Sequence, residues 1–342
     1  MTRPSRIAIP CLALIAATAV ASGAWGAELK KVSFGTNWLP EAEHGGYYQA
    51  VADGSYADCG LDVTILPGGP QVNNRALLLA GKIEFHMGGN LIQAFSAVEQ
   101  DIPLKVVAAH FQKEPQVILT HPGQGLDSWG SLKDIKLFIG ENGFQSYYQW
   151  MIAAYGFKAS QRAPYTFNPA PFLADPKSGQ QGYVTSEPFA IEKAGGFEPN
   201  IFLIADYGFD TYASTVEVMD EMIETGPEAV QCFVDASARG WYTYLYGDPS
   251  AGDELILTSN PEMTPEQLAF TRKMLRDYGI VDSGDARTLG IGAMTDARFN
   301  SFYEKMVDAG VVPDGLDIAS SYTLDFVDKG VGLDLRKTLT GE

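Results

Sequence analysis

Strand and helix signals alternate along this chain, and that alternation restricts its fold more than any other feature. Val32–Thr36 reads as a strand and is followed by a polar, aromatic loop, Asn37–Gly46. A helix comes next, with Tyr48, Val51, Ala52 and Tyr56 on one face, and Gly60 stands where a C-terminal cap belongs. Leu61, Val63 and Ile65 alternate with polar residues, as a half-buried strand would, before the turn Pro67-Gly68-Gly69-Pro70. A helix over 73–80, a strand through Ile83, Phe85 and Met87, a helix capped by Asn90 and a strand over 104–109 complete the series. This β-α-β-α-β-α-β order is that of an open parallel α/β sheet.

A second set begins near Val117. Strands are expected at 136–140, 165–167, 182–185 and 201–204, and a helix presents Tyr148, Met151, Ile152 and Tyr155 before Gly156. From about Gly226 the pattern becomes mostly helical, with a capping box at Thr264-Pro265-Glu266-Gln267 and an amphipathic helix over 295–309. Two α/β units with a helical tail predict two lobes that the chain crosses between twice. Ligands of open α/β sheets sit at the carboxyl ends of strands, so the loops there should hold the site, and hinge closure should enclose it.

The first residues predict export. Arg3 and Arg6 precede an apolar run, Ile7–Ala21, and small residues at Ala24 and Gly26 suit cleavage before Ala27. Cleavage after Ala24 is the alternative. The run is too short to span a membrane. Without Arg3 and Arg6 the chain keeps 22 basic against 42 acidic residues, a balance that disfavours nucleic acid as a partner. Cys59 and Cys232 remain after processing, and the spacing leaves both a disulfide and two separate thiols open. Four dispersed histidines predict no metal site, and no motif calls for a cofactor.

The richest loop is Asn37-Trp38-Leu39-Pro40-Glu41-Ala42-Glu43-His44-Gly45-Gly46-Tyr47-Tyr48, between a strand and a helix. Trp38 offers a flat apolar face and His44 can donate or accept hydrogen bonds, a combination suited to a planar ligand with a polar edge. The plain alternative is a core tryptophan and a solvated histidine. Met87-Gly88-Gly89-Asn90 would let backbone approach a ligand, although Asn90 also reads as a simple N-cap. Gly143-Phe144-Gln145-Ser146-Tyr147 holds the matching place in the second unit, with no basic residue. Glu187 suits the first turn of a helix, and Tyr207 lines the cleft or packs the return crossover.

Asn-Trp-x-Pro-x-x-x-His, an aromatic pair, a helix and then Gly60-Leu61-Asp62-Val63 together resemble the thiamine-pyrimidine-synthase-like branch of the type II periplasmic binding proteins. That branch includes binding proteins for formylaminopyrimidine and riboflavin and is related to those for nitrate, taurine and sulfonates. The resemblance implies an α/β, type II periplasmic binding fold with a double crossover hinge. Residues 1–26 would be the leader, 27–115 and 211–342 one lobe, and 116–210 the other. It implies a monomeric periplasmic protein that passes a small molecule to an ABC permease in the inner membrane, with no catalytic residue. Ligand contacts are expected from Trp38, His44, Tyr47, Asn90, Phe144, Gln145, Tyr147, Glu187 and Tyr207. A thiamine-precursor pyrimidine is the first candidate, riboflavin the second, and an oxyanion the alternative. The fungal pyrimidine synthase of the same superfamily consumes a histidine at the place of His44, using pyridoxal phosphate and iron. Its cysteine-rich motif has no counterpart here, so the expectation is binding without chemistry.

Overall fold

The computed structural model describes residues 1–2 and 28–342, so the predicted leader and its cleavage sites lie outside the described residues. Ten strands form two five-stranded sheets: β1 (Lys30–Gly35), β2 (Leu61–Leu66), β3 (Phe85–Asn90), β4 (Leu104–Phe111), β5 (Gln116–Thr120), β6 (Lys136–Ile139), β7 (Arg162–Pro164), β8 (Ser178–Tyr183), β9 (Asn200–Leu203) and β10 (Ala213–Met219). The first sheet has the order β2-β1-β3-β10-β4 and the second β7-β6-β8-β5-β9.

The two orders are the same pattern used twice. In each sheet the strand next to last in the order is the one that enters directly from the other lobe, and it runs antiparallel to both neighbours. The remaining pairings between neighbouring strands are parallel. The sheets are therefore mixed, whereas the sequence pattern suggested a purely parallel arrangement. Chain crossing between lobes supplies the reason, since a strand arriving from across the hinge enters its sheet from the opposite end. The crossings lie between Phe111 and Gln116 and between Leu203 and Ala213. Lys113 in the first crossing pairs with Asp206 in the second at 2.6 Å.

Three local expectations shift. The helix read through Tyr48 and Tyr56 is two helices, Gly45–Ala52 and Ser55–Asp58, broken at Gly54. Gly54 takes φ 80°, a left-handed conformation that glycine adopts without a Cβ penalty. The strand expected at 165–167 lies at Arg162–Pro164, and Phe167 stands outside it with φ 61°. The strand expected at 182–185 starts earlier, at Ser178.

The loop carrying Trp38 and His44 is set by an unusually close helix crossing. The helix Gly45–Ala52 packs on the long helix Pro227–Tyr246. A Cβ on Gly46 would lie 2.2 Å from the Trp241 ring, and one on Gly240 would lie 2.2 Å from the Gly46 carbonyl oxygen. Phe233, from the same long helix, stacks on Phe85 with centroids 4.1 Å apart and packs against Phe34, joining helix and sheet in one core. Cys59 and Cys232 form a disulfide that ties the short second helix to the long one. Among the described residues no helix is long and apolar enough to cross a membrane.

Candidate ligand-binding site

A cavity of about 810 Å³ opens between the two sheets, within the size range of small-molecule sites. Loops following β1, β2 and β3 line it from one lobe, and the segments Asn142–Tyr147 and Gln181–Glu187 line it from the other. These are strand ends and helix starts, the positions where open α/β folds place ligands.

Six of the nine residues singled out in the sequence line this cavity: Trp38, His44, Asn90, Gln145, Tyr147 and Glu187. Three do not. Tyr47 is fully buried in the first lobe, where its hydroxyl meets His110 Nδ1 at 2.8 Å and its ring packs on Phe34. Phe144 turns away, under the Arg162 guanidinium and beside Tyr148. Tyr207 stacks on Trp129 with centroids 4.0 Å apart, as packing of the return crossover. Asn90 serves in two capacities, since its side chain accepts from Ile92 N–H while facing the cavity. Glu187 likewise begins the helix Glu187–Gly195, with Oε2 accepting from Tyr183 N–H at 2.7 Å.

Trp38 meets a residue that the sequence pattern did not suggest. Phe167 of the second lobe lies with its ring centroid 4.7 Å from that of Trp38, tilted by 51°. Rings at that separation are in direct contact, so no third ring fits between them. They close one side of the cavity. Phe167 holds a left-handed backbone conformation rare for an aromatic residue, a local cost of the kind that collects at functional sites.

The lobes touch at further points. Thr185 Oγ1 donates to Glu43 Oε1 at 2.6 Å, and the Thr185 carbonyl accepts from Thr271 Oγ1 at 2.7 Å. Phe189 packs on Phe270 at 5.5 Å. Thr185 and Phe189 belong to the second lobe and their partners to the first, so the lobes are in contact beside the cavity.

Side-chain amides are the commonest polar groups of the lining, and four carboxyl groups stand among them. Glu41 and Glu43 come from the first loop, Glu114 from the first crossing and Glu187 from the second lobe. Burial, the negative charges of Glu43 and Glu187 adding to it, pushes the Glu41 carboxyl well above the usual carboxylate range. Burial raises Glu43 to about 7, against the lowering hydrogen bond from Thr185, and Glu114 to about 8. It also raises Glu187 and lowers His44 to about 3, so His44 is a neutral imidazole at physiological pH. His44 Nδ1 and Glu114 Oε2 are buried without a protein partner. Among the described residues, Arg75 is the one arginine or lysine that lines the cavity, and its guanidinium is already bound to Glu217 at 3.2 Å and to the Gln93 backbone carbonyl at 2.9 Å.

These shifts carry a stability prediction. A carboxyl raised in the folded state contributes stability that is complete below its unfolded pKa and lost as pH climbs through the folded value. Against the unliganded parent, Glu43→Gln and Glu114→Gln should therefore gain relative stability from about pH 5 to about pH 8.5, by on the order of 3 kcal/mol each. Urea midpoints measured across that range test this; a difference that does not vary with pH contradicts it.

A family model described as NMT1/THI5 like matches residues 41–251. The riboflavin-binding protein RibY of Chloroflexus aurantiacus is 26% identical over 315 residues, covering 88% of this chain and 87% of the relative. The periplasmic aliphatic sulphonate binding protein SsuA of Escherichia coli superposes with a TM-score of 0.61 at 13% identity, covering 85% of this chain and 91% of its own. A desulfurization enzyme, DSZB, superposes with a TM-score of 0.54 at 12% identity, covering 87% and 97%. Those two structures place one fold under a binding protein and an enzyme, so function has to be argued from the cavity itself.

Proposed function

The chain belongs to the NMT1/THI5-like family, and from that premise we propose that it is the ligand-capturing component of an ABC-type import system. Exported to the periplasm, it closes two lobes, 27–115 with 211–342 and 116–210, on a small flat heterocycle and presents the closed form to a permease. One observation carries this reading: a cavity of about 810 Å³ between the lobes, lidded by Trp38 and Phe167 and edged by carboxyls and amides. An aromatic lid over a polar rim suits a planar ring with N–H groups along its edge. The Cys59–Cys232 disulfide fits an oxidising compartment.

A thiamine-precursor aminopyrimidine remains the first candidate, because its exocyclic amine can donate to Glu187 or Glu43 and its ring nitrogens can accept from a protonated carboxyl. Riboflavin is the second, supported by the RibY relative and by a volume larger than one small ring needs. Nitrate and sulfonates fit less well. The lining has amide N–H donors, but its arginine, Arg75, is already bound to acceptors and four glutamates share the space. Single-turnover synthesis from His44 fits less well too, since no lysine lines the cavity to hold pyridoxal phosphate.

Native mass spectrometry of protein purified without denaturation tests the reading. A bound flat nitrogen heterocycle supports it, and a bound alkylsulfonate or nitrate overturns it.

A further inference from the structure

We propose that the occupant of this cavity is a cation, a flat nitrogen heterocycle protonated on a ring nitrogen conjugated to an exocyclic amine. The inference rests on the reading that the cavity takes a flat heterocycle, and adds its charge.

Four glutamates from three separate segments, Glu41 with Glu43, Glu114, and Glu187, line one cavity, and Arg75 pairs with Glu217 and the Gln93 carbonyl. Acidic residues alone make no site, but two further groups ask for a partner. Glu114 is 3% exposed with Oε2 unbonded, and His44 is 2% exposed with Nδ1 unbonded, and both line the cavity. A neutral imidazole nitrogen can accept an N–H, as can a carboxylate oxygen. Buried carboxyls that repel one another are costly to ionise, and a cation seated among them reverses that cost.

The shape of the charge follows from the walls. A protonated amino-heterocycle spreads its charge over coplanar N–H groups, each able to donate to a carboxylate oxygen on a different wall. Its positive face also gains from lying beneath Trp38, which an aliphatic ammonium would exploit less fully and a neutral ring not at all. An anion gains no such compensation from the glutamates.

Two probes of nearly the same shape separate charge from flatness. 4-Aminoquinoline is cationic at neutral pH, and 1-aminonaphthalene, which lacks the ring nitrogen, is not. Calorimetric titration of the purified full chain should show the first binding at least tenfold more tightly. That preference should shrink at least threefold in Glu43→Gln and in Glu187→Gln, both close in shape to the parent residue. Equal affinities, or a preference unchanged in both variants, overturn the inference. Failure of both probes while riboflavin binds overturns the cation and leaves the heterocycle reading standing. Binding of taurine or nitrate instead overturns both.

Discussion

Gly240→Ala is expected to remove about 3 kcal/mol or more of folding stability, despite alanine's better helix propensity. The added Cβ would lie 2.2 Å from the Gly46 carbonyl oxygen and 2.7 Å from Ala50 Cβ. Both are fixed parts of the helix Gly45–Ala52, which cannot yield by turning a side chain. Relief requires the two helices to separate, and the Phe233 and Trp241 core contacts separate with them. The site moves too, because the displaced helix is the one that anchors Glu43 and His44. Gly130→Ala is the control: nothing lies within 4 Å of its added Cβ, so its denaturant midpoint should stay within about 0.5 kcal/mol of the parent. Equal stability of the two variants would contradict the close crossing.

Trp38→Ala should weaken ligand binding at least tenfold. Aromatic contact is worth about 0.5–1.5 kcal/mol beyond area, and loss of the apolar face adds to it. The variant also opens the lid, since Phe167 loses its partner across the cleft. Phe167→Ala should weaken binding by less, because half of its surface already faces solvent. The double variant should fall short of the sum of the single losses, the mark of side chains that act through one contact. Calorimetry on the four proteins reads all of this, and unchanged affinity in Trp38→Ala would remove that residue from the site.

Much of the fold was legible because local pattern and final structure agree. Alternation at Leu61, Val63 and Ile65 became β2, and the caps read at Asn90 and Thr264 accept backbone N–H groups from Ile92 and Gln267. Sheet order was not legible. The insertion of β5 and β10 against their neighbours depends on where the chain crosses between lobes, which no local period encodes. The split at Gly54 was hidden because Tyr48 and Tyr56 keep helical spacing across the break.

The site divides in the same way. Trp38, His44 and Glu187 stand at strand-to-helix junctions, where local pattern points to a cleft. Tyr47 belongs to the same loop, but helical phase turns it to the sheet and into contact with His110. Glu114 lies at a crossing with no helical or strand period to mark it, and its importance comes from burial against the opposite lobe. Phe167 was read as part of a strand, and its left-handed backbone places it at the lid instead. Glu41 and Glu43 stood in the quoted loop throughout. Only their convergence with Glu114 and Glu187 turns them into an acidic rim.

A thermal-shift panel on the purified protein tests capture of a flat heterocycle most directly, with aminopyrimidines, aminoquinoline, riboflavin, taurine, alkylsulfonates and nitrate as ligands. A ligand at a hundred times its Kd adds about 2.7 kcal/mol to the native state, enough to move a melting midpoint by several degrees. The expected result is a shift with a flat nitrogen heterocycle that is lost in Trp38→Ala. Shifts confined to the sulfonates or nitrate would contradict the account.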